Sequence, residues 1–235
     1  MRTIALLSSF LAVCHACTVA SAQEPKTKEM PAPAKTEPPA RPKDAAALFA
    51  AMAAIPGLEA KFEEEKHLSL LAVPLTSKGR ICFQRAADGK GGYLTRVVES
   101  PEASTVRITP RELRLENRDG VEVVDLQRSD KVRTFVTALV QVFTGDQQAL
   151  DKSFTIAFAP DPATATGWTL TLAPRGAPLD KMMKSLQLVG DGKAVVRIEM
   201  IDPNGDRTVT RIVGADPARK FDADEQKRLF GIEPR

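Results

Sequence analysis

Cysteine, histidine and the hydrogen-bonding aromatics are nearly missing from this chain. Its 235 residues include three Cys, two His, one Trp and one Tyr, against ten Phe. So few soft or imidazole ligands cannot assemble a zinc or haem site, and no metal or cofactor is expected. A Phe-rich, Trp- and Tyr-poor interior is greasy, with few polar handles to orient a ligand. No G-x-S-x-G elbow, Walker loop or Rossmann glycine pattern occurs in the chain. Glu63, Glu64 and Glu65 are adjacent carboxylates, but on an extended chain neighbours point to alternating sides. They read as a solvated charge run and not as a general acid/base pair. Asp202-Pro203-Asn204-Gly205-Asp206 lacks the spacing and closing Glu of a calcium loop. No enzyme is expected. Lys and Arg number 33 against 30 acids, a formal charge of +3 with no dense basic cluster. Nucleic acid is therefore excluded as a partner.

The N-terminus reads as an export signal spanning residues 1–22. Arg2 precedes the apolar run Ile4 to Val13, and Ala20-Ser21-Ala22 supplies an A-x-A cleavage site. The run falls short of the roughly 20 apolar residues a membrane span needs. A lipidated cysteine is not expected, because Cys14 follows Val13 and Cys17 lacks the right upstream residue. Removing Arg2 leaves 3 − 1 = +2 charges. It also leaves Cys82 alone, a packed small hydrophobe with no disulfide partner. Residues 23–43 hold six of the 17 prolines among Lys, Glu, Ala and Thr. That composition predicts a disordered linker, leaving 44–235 as one folded domain.

Within that domain Asp44 is a candidate N-cap for a helix from Ala45 to Ile55, stopped by Pro56-Gly57. Leu48, Met52 and Ile55 form its stripe, with Phe49 beside them; the rest is mostly alanine. A strand beginning at Leu58 alternates around Phe62, Leu68 and Leu70, with a bend expected at the acids. Alternating runs then follow at Gly79–Arg85, Tyr93–Glu99, Val106/Ile108, Leu113/Leu115 and Val121/Val123. Turns such as Asp88-Gly89-Lys90-Gly91-Gly92 separate them. This spacing predicts an antiparallel meander. A second helix, capped by Asp130 and ended by Gly145, carries Val132, Phe135, Val136, Leu139, Val140 and Phe143 on a broad apolar stripe.

Strands resume at Phe154/Ile156/Phe158, Trp168/Leu170/Leu172, Leu186/Leu188 and Ala194/Val196/Ile198/Met200. A hairpin at Asn204-Gly205 leads into Thr208–Val213. Pro178–Lys184 predicts one helical turn, and Asp222–Phe230 a short helix packing Leu229 and Phe230. The sum is an α+β, mainly antiparallel chain of about eleven strands, each with one apolar face, curled and covered by two helices.

One stretch stands apart. In Gly79-Arg80-Ile81-Cys82-Phe83-Gln84-Arg85, alternation puts Ile81, Phe83 and Arg85 on one face, so an apolar row ends in a permanent cation. No other polar group is expected on these greasy faces. Together with Leu58-Glu59-Ala60-Lys61-Phe62, Thr144-Gly145-Asp146, Gly167-Trp168-Thr169-Leu170-Thr171-Leu172-Ala173-Pro174 and the Asn204-Gly205-Asp206 hairpin, it resembles the LolA family of periplasmic outer-membrane lipoprotein carriers. The resemblance runs from about Ala45 to Val213 and lies in the order and spacing of the pieces.

It implies an open half-barrel with a helical lid over a hydrophobic cavity. The apolar rows would line that cavity: Leu48 and Met52 from the first helix, and Phe62, Ile81, Phe83, Leu113 and Leu115 from the early strands. Phe135, Leu139 and Phe143 would join from the second helix. Phe154, Ile156, Trp168, Leu170, Leu186, Ile198 and Met200 would come from the later strands. It also implies a lid-locking role for Arg85, within the family's G-x-x-x-x-x-R-P pattern. Ala86 replaces the proline, and Leu94-Thr95-Arg96 replaces the aromatic pair that usually follows, so the cargo could be another acylated molecule or free lipid. The implied setting is the periplasm of a Gram-negative bacterium. The implied partners are an acylated lipoprotein or lipid cargo, an inner-membrane ABC-type donor and an outer-membrane acceptor, with the carrier a monomer.

Overall fold

The computed structural model describes residues 40–233. The expected signal, 1–22, and most of the expected linker, 23–39, lie outside the described residues. Helix α1 (Ala45–Ala53) begins as its sequence requires, with Asp44 accepting a bond from the Ala47 N–H at 2.8 Å. Six strands follow in chain order: β1 (Gly57–His67), β2 (Leu75–Arg85), β3 (Gly92–Ser100), β4 (Ser104–Ile108), β5 (Glu112–Asn117) and β6 (Gly120–Asp125). Helices α2 (Asp130–Thr144) and α3 (Gln147–Ser153) lead to β7 (Phe154–Pro160) and β8 (Gly167–Pro174). After a 3₁₀ turn at Leu179–Lys181 come β9 (Ser185–Asp191), β10 (Ala194–Ile201) and β11 (Arg207–Asp216). A last turn, α4 (Ala223–Glu225), runs on into a wider turn at Gln226–Phe230.

All eleven strands form one antiparallel sheet in the order β6-β5-β4-β3-β2-β1-β11-β10-β9-β8-β7. Two meanders therefore run in opposite directions from the centre, where β1 pairs β11. The sheet is an open, curved half-barrel whose free edges are β6 and β7. The chain between those edges is α2 and α3, so it must cross the mouth of the trough. Topology alone places the helices over the inner face.

One hydrophobic cluster joins both sides of that contact: Leu48 and Phe49 of α1, Phe135 and Val136 of α2, and the inward rows of the sheet. Phe83 and Phe143 stack across it with ring centroids 5.7 Å apart. Trp168 is fully buried, and its indole N–H donates to the Gly192 carbonyl at 2.8 Å. Its ring lies on Gly190, where a Cβ would fall 2.0 Å from the indole.

The structure corrects several expectations. Strand β1 runs unbroken through Glu63–Glu65, because each acid finds a cross-strand partner; the chain leaves the sheet only after His67. Ser129, not Asp130, stands at the N-cap of α2, and Asp130 pairs with Arg133 one turn on. Helix α3, unforeseen because its seven residues bury only Leu150, is capped by Asp146. The sheet is also not apolar on one face alone. On its outer face Cys82 and Tyr93 pack against Phe221, Leu229 and Phe230 of the C-terminal segment. Thr95 and Arg107 hold that segment by its last turn, both donating to the Leu229 carbonyl. Burial pushes the Cys82 thiol up to about 11.

Candidate functional site

The inner wall is built from alternation. Residues two apart on a strand share a face, so Phe62, Ile81, Phe83, Leu113, Phe154, Trp168, Leu170 and Leu186 converge in the buried cluster with Leu48 and Phe135. Met52, Leu115, Leu139, Phe143, Ile156, Ile198 and Met200 pack against it, partly buried. Every residue expected on the apolar wall is therefore in one contiguous body. In this structure the body is closed, with the helices seated on the sheet. A cleft of about 330 Å³ opens at the polar end of β1, on Glu63, Glu64, Glu65, Thr76, Ser77, Lys78, Ser100, Pro101 and Arg211.

Arg85, at the last position of β2, reaches the ends of both covering helices. Its Nε donates to the Ile55 carbonyl at 3.0 Å, and Nη2 to the Met52 carbonyl at 3.1 Å. Nη1 and Nη2 both donate to the Thr144 carbonyl, at 3.3 and 3.2 Å. Met52 and Thr144 stand in the final turns of α1 and α2, which carry the negative ends of the helix dipoles, and Ile55 lies two residues beyond α1. The Met52 carbonyl also accepts from the Ile55 N–H at 3.1 Å. One cation thus bonds acceptors at the ends of two helices at once. Partial burial lowers the guanidinium pKa from its ordinary value, but an arginine stays charged.

Gly145 makes the convergence possible. It caps α2 in the left-handed conformation (φ 68°), and a Cβ there would fall 2.3 Å from the Phe49 carbonyl oxygen of α1. Ala86, which breaks the family's R-P pair, uses its freedom from proline. Its N–H donates to the Gly91 carbonyl at 3.2 Å and so closes the β2–β3 hairpin.

The wall also holds polar residues that the sequence reading did not place there. Glu64 and Arg96 point inward, 6% and 4% exposed, with Thr208 and Thr210 also buried. Arg96 Nη2 donates to Glu64 Oε1 at 2.7 Å, Thr210 Oγ1 to Oε2 at 2.8 Å, and Ser77 Oγ to Oε1 at 3.3 Å. The Arg96 guanidinium lies 4.4 Å from the centroid of the Phe62 ring. Burial lowers the Arg96 pKa, with the Glu64 charge and hydrogen bond acting against that shift. The reading of Glu63–Glu65 as a uniformly solvated run is thus overturned for its middle member. The missed signal was parity: Glu64 shares a face with Ala60 and Phe62, and Arg96 with Leu94 and Val98.

An open antiparallel half-barrel, with helices seated on its apolar face and one arginine tying their ends, is the class of protein that this geometry defines. The chain belongs to the LolA-like outer membrane lipoprotein carrier protein family, whose profile matches residues 38–230. No curated protein matches the sequence. Among solved structures, MucB is similar at 11% identity and TM-score 0.45, over 77% of this chain. The chain spans only 61% of that MucB chain, and 56% of its match in the Pseudomonas aeruginosa MucA/MucB complex. A LolA superfamily protein from Nitrosomonas europaea is similar at 10% identity and TM-score 0.41, covering 77% of this chain and 96% of that one. A putative outer membrane lipoprotein-sorting protein domain from Vibrio parahaemolyticus is similar at 9% identity and TM-score 0.44, covering 78% and 95%. Among the described residues no helix is long and apolar enough to cross a membrane.

Proposed function

We propose that this protein is a periplasmic carrier that takes up the acyl chains of a lipoprotein between α1, α2 and the inner wall and moves it from the inner to the outer membrane. In this reading residues 1–22 direct export, 23–43 tether, and 44–235 carry. An inner-membrane ABC-type complex loads the cargo, and an outer-membrane acceptor receives it. The observation that supports it is the Arg85 guanidinium bonded to the carbonyls of Met52, Ile55 and Thr144.

The energetics of release give that bond set its purpose. Each buried CH₂ contributes about 0.8 kcal/mol, so one long acyl chain is worth on the order of ten kcal/mol. A carrier gaining all of that would not let go. If loading first separates the helices from the wall, the lost helix–wall contacts subtract from the affinity, and reforming them drives release. Helix α1, mostly alanine, gives up modest contact area on leaving. Arg85 adds charged hydrogen bonds of roughly 1.5–3 kcal/mol each, an upper range for a half-buried group. Arg85→Leu is expected to bind an acyl probe about tenfold more tightly and to pass it poorly to acceptor membranes. Transfer at the wild-type rate in a vesicle-to-vesicle assay would remove the lock from this reading.

A further inference from the structure

The open sheet has two free edges, and the chain treats them differently. Strand β7 lies against α1 and α3, leaves only Thr155, Ala157, Ala159 and Pro160 exposed, and ends on a residue with no N–H to offer. Strand β6 has no such cover. Among the described residues no strand pairs with its outer edge, and five of its six residues are exposed. Its register with β5 runs from Asn117↔Gly120 to Glu112↔Asp125 without a bulge, and it holds neither proline nor lysine. Those are the devices that ordinarily keep an edge from pairing with another chain.

Alternation sorts what β6 presents. Val124 sits opposite Leu113 and packs on the inner core, so Glu122 shares the inner face, while Val121, Val123 and Asp125 take the outer one. Val121 is 50% and Val123 48% exposed. The β5–β6 hairpin carries five acids, Glu112, Glu116, Asp119, Glu122 and Asp125, against Arg114 and Arg118. Both arginines are engaged: Arg114 lies 3.8 Å from Glu116, and Arg118 is 2.9 Å from Glu102 and 3.7 Å from Asp119. Asp125 is 3.4 Å from Arg128, and among the described residues Glu122 has no cationic partner. A second copy would bring the same excess of acids to the seam, where like charges on facing strands repel. A strand of opposite sign gains from that excess, so acids alone make the edge selective and not closed.

We propose that the β6 edge is a docking site for an extended basic segment of another protein, added to the sheet as a further strand antiparallel to β6. Backbone bonds along the edge supply the affinity, and alternate side chains supply the selectivity. From Asp125 back to Val121 the edge calls for a cation, an uncharged residue, an apolar residue, a cation and an apolar residue. The apolar pair covers Val123 and Val121 on the outer face, and the cations meet Asp125 and Glu122. The site lies at the rim of the sheet, outside the acyl wall, and its chemistry does not depend on what that wall carries.

The probe is an end-blocked, dye-labelled peptide, Lys-Thr-Val-Lys-Val-Thr, with Glu-Thr-Val-Glu-Val-Thr as its acidic counterpart, both measured by fluorescence anisotropy at low salt. The basic peptide is expected to bind about tenfold more tightly than the acidic one and to slow amide hydrogen exchange across Val121–Asp125. Glu122→Lys with Asp125→Lys changes exposed side chains only and is expected to reverse the order of the two peptides. Val121→Ser with Val123→Ser is expected to weaken the binding of both. Equal binding of the two peptides by wild type overturns the site, as does binding that leaves the β6 amides unprotected. An order that the charge-reversed variant keeps overturns it too, and so does the absence of binding at millimolar peptide. If wild type instead forms a dimer that protects the same amides, the edge pairs with a second copy and not with a basic partner, and the site as described is overturned.

Discussion

Two arginines occupy the same inner wall, and they differ in what holds them. Arg85 bonds backbone carbonyls at the ends of α1 and α2, partners on other elements that can leave with those elements. Arg96 bonds Glu64, a partner in the same sheet that cannot leave without unfolding it. The first arrangement is separable: carbonyls at a helix end can take water in place of the guanidinium. The second is fixed, because a carboxylate stripped of its cation in the interior has no comparable substitute. A cation poised between elements suits a switch.

This difference can be broken by experiment. Arg96→Leu strands the Glu64 carboxylate and is expected to cost about 3–5 kcal/mol of stability, measured by denaturant unfolding. Were it as mild as a surface substitution, the two arginines would not be different in kind. Alkaline pH sharpens the contrast, since both arginines stay charged while the outer face titrates. Cys82 has its thiol pKa raised from 9.0 to about 11 by burial. Its neutral form is favoured in the folded state, so stability is complete below pH 9 and falls as pH rises toward 11. The loss is roughly 2–3 kcal/mol. Comparing the pH dependence of wild type with Cys82→Ala isolates it; equal slopes would show that the thiol is not desolvated. Smallest is Ala86→Pro, which restores the family's R-P pair but deletes the Ala86–Gly91 hydrogen bond. About 1 kcal/mol of destabilisation is expected, with Arg85 still on its carbonyls. A gain in stability would mean that the β2–β3 hairpin does not depend on that bond.

How much was legible in the sequence follows from the range of each interaction. The rows around Phe62, Ile81 and Phe83, the Asp44 cap and the Gly145 stop are local, set by alternation, one side chain or one backbone angle. Arg85 was legible because a cation at the end of an apolar row has no local partner and must find a distant one. Glu64 was not singled out, although its parity with Phe62 was available. Its partners, Arg96, Ser77 and Thr210, stand on three other strands, and three adjacent acids ordinarily indicate solvent. Cys82, Leu229 and Phe230 were each legible as packed residues, but their meeting on the outer face was not. Phe221, Leu229 and Phe230 are remote in sequence from β2 and β3.

The sequence alone determined the strand and helix periods and most of the turns between them. Those depend on residue type and spacing within a few positions. Only the tertiary structure decided the two-meander order with β1 beside β11, and which of the three acids is buried. It also decided that Arg85 meets two helix ends at once. Each of these is a pairing between groups dozens of residues apart, and alternation records which face a residue takes but not what waits on that face.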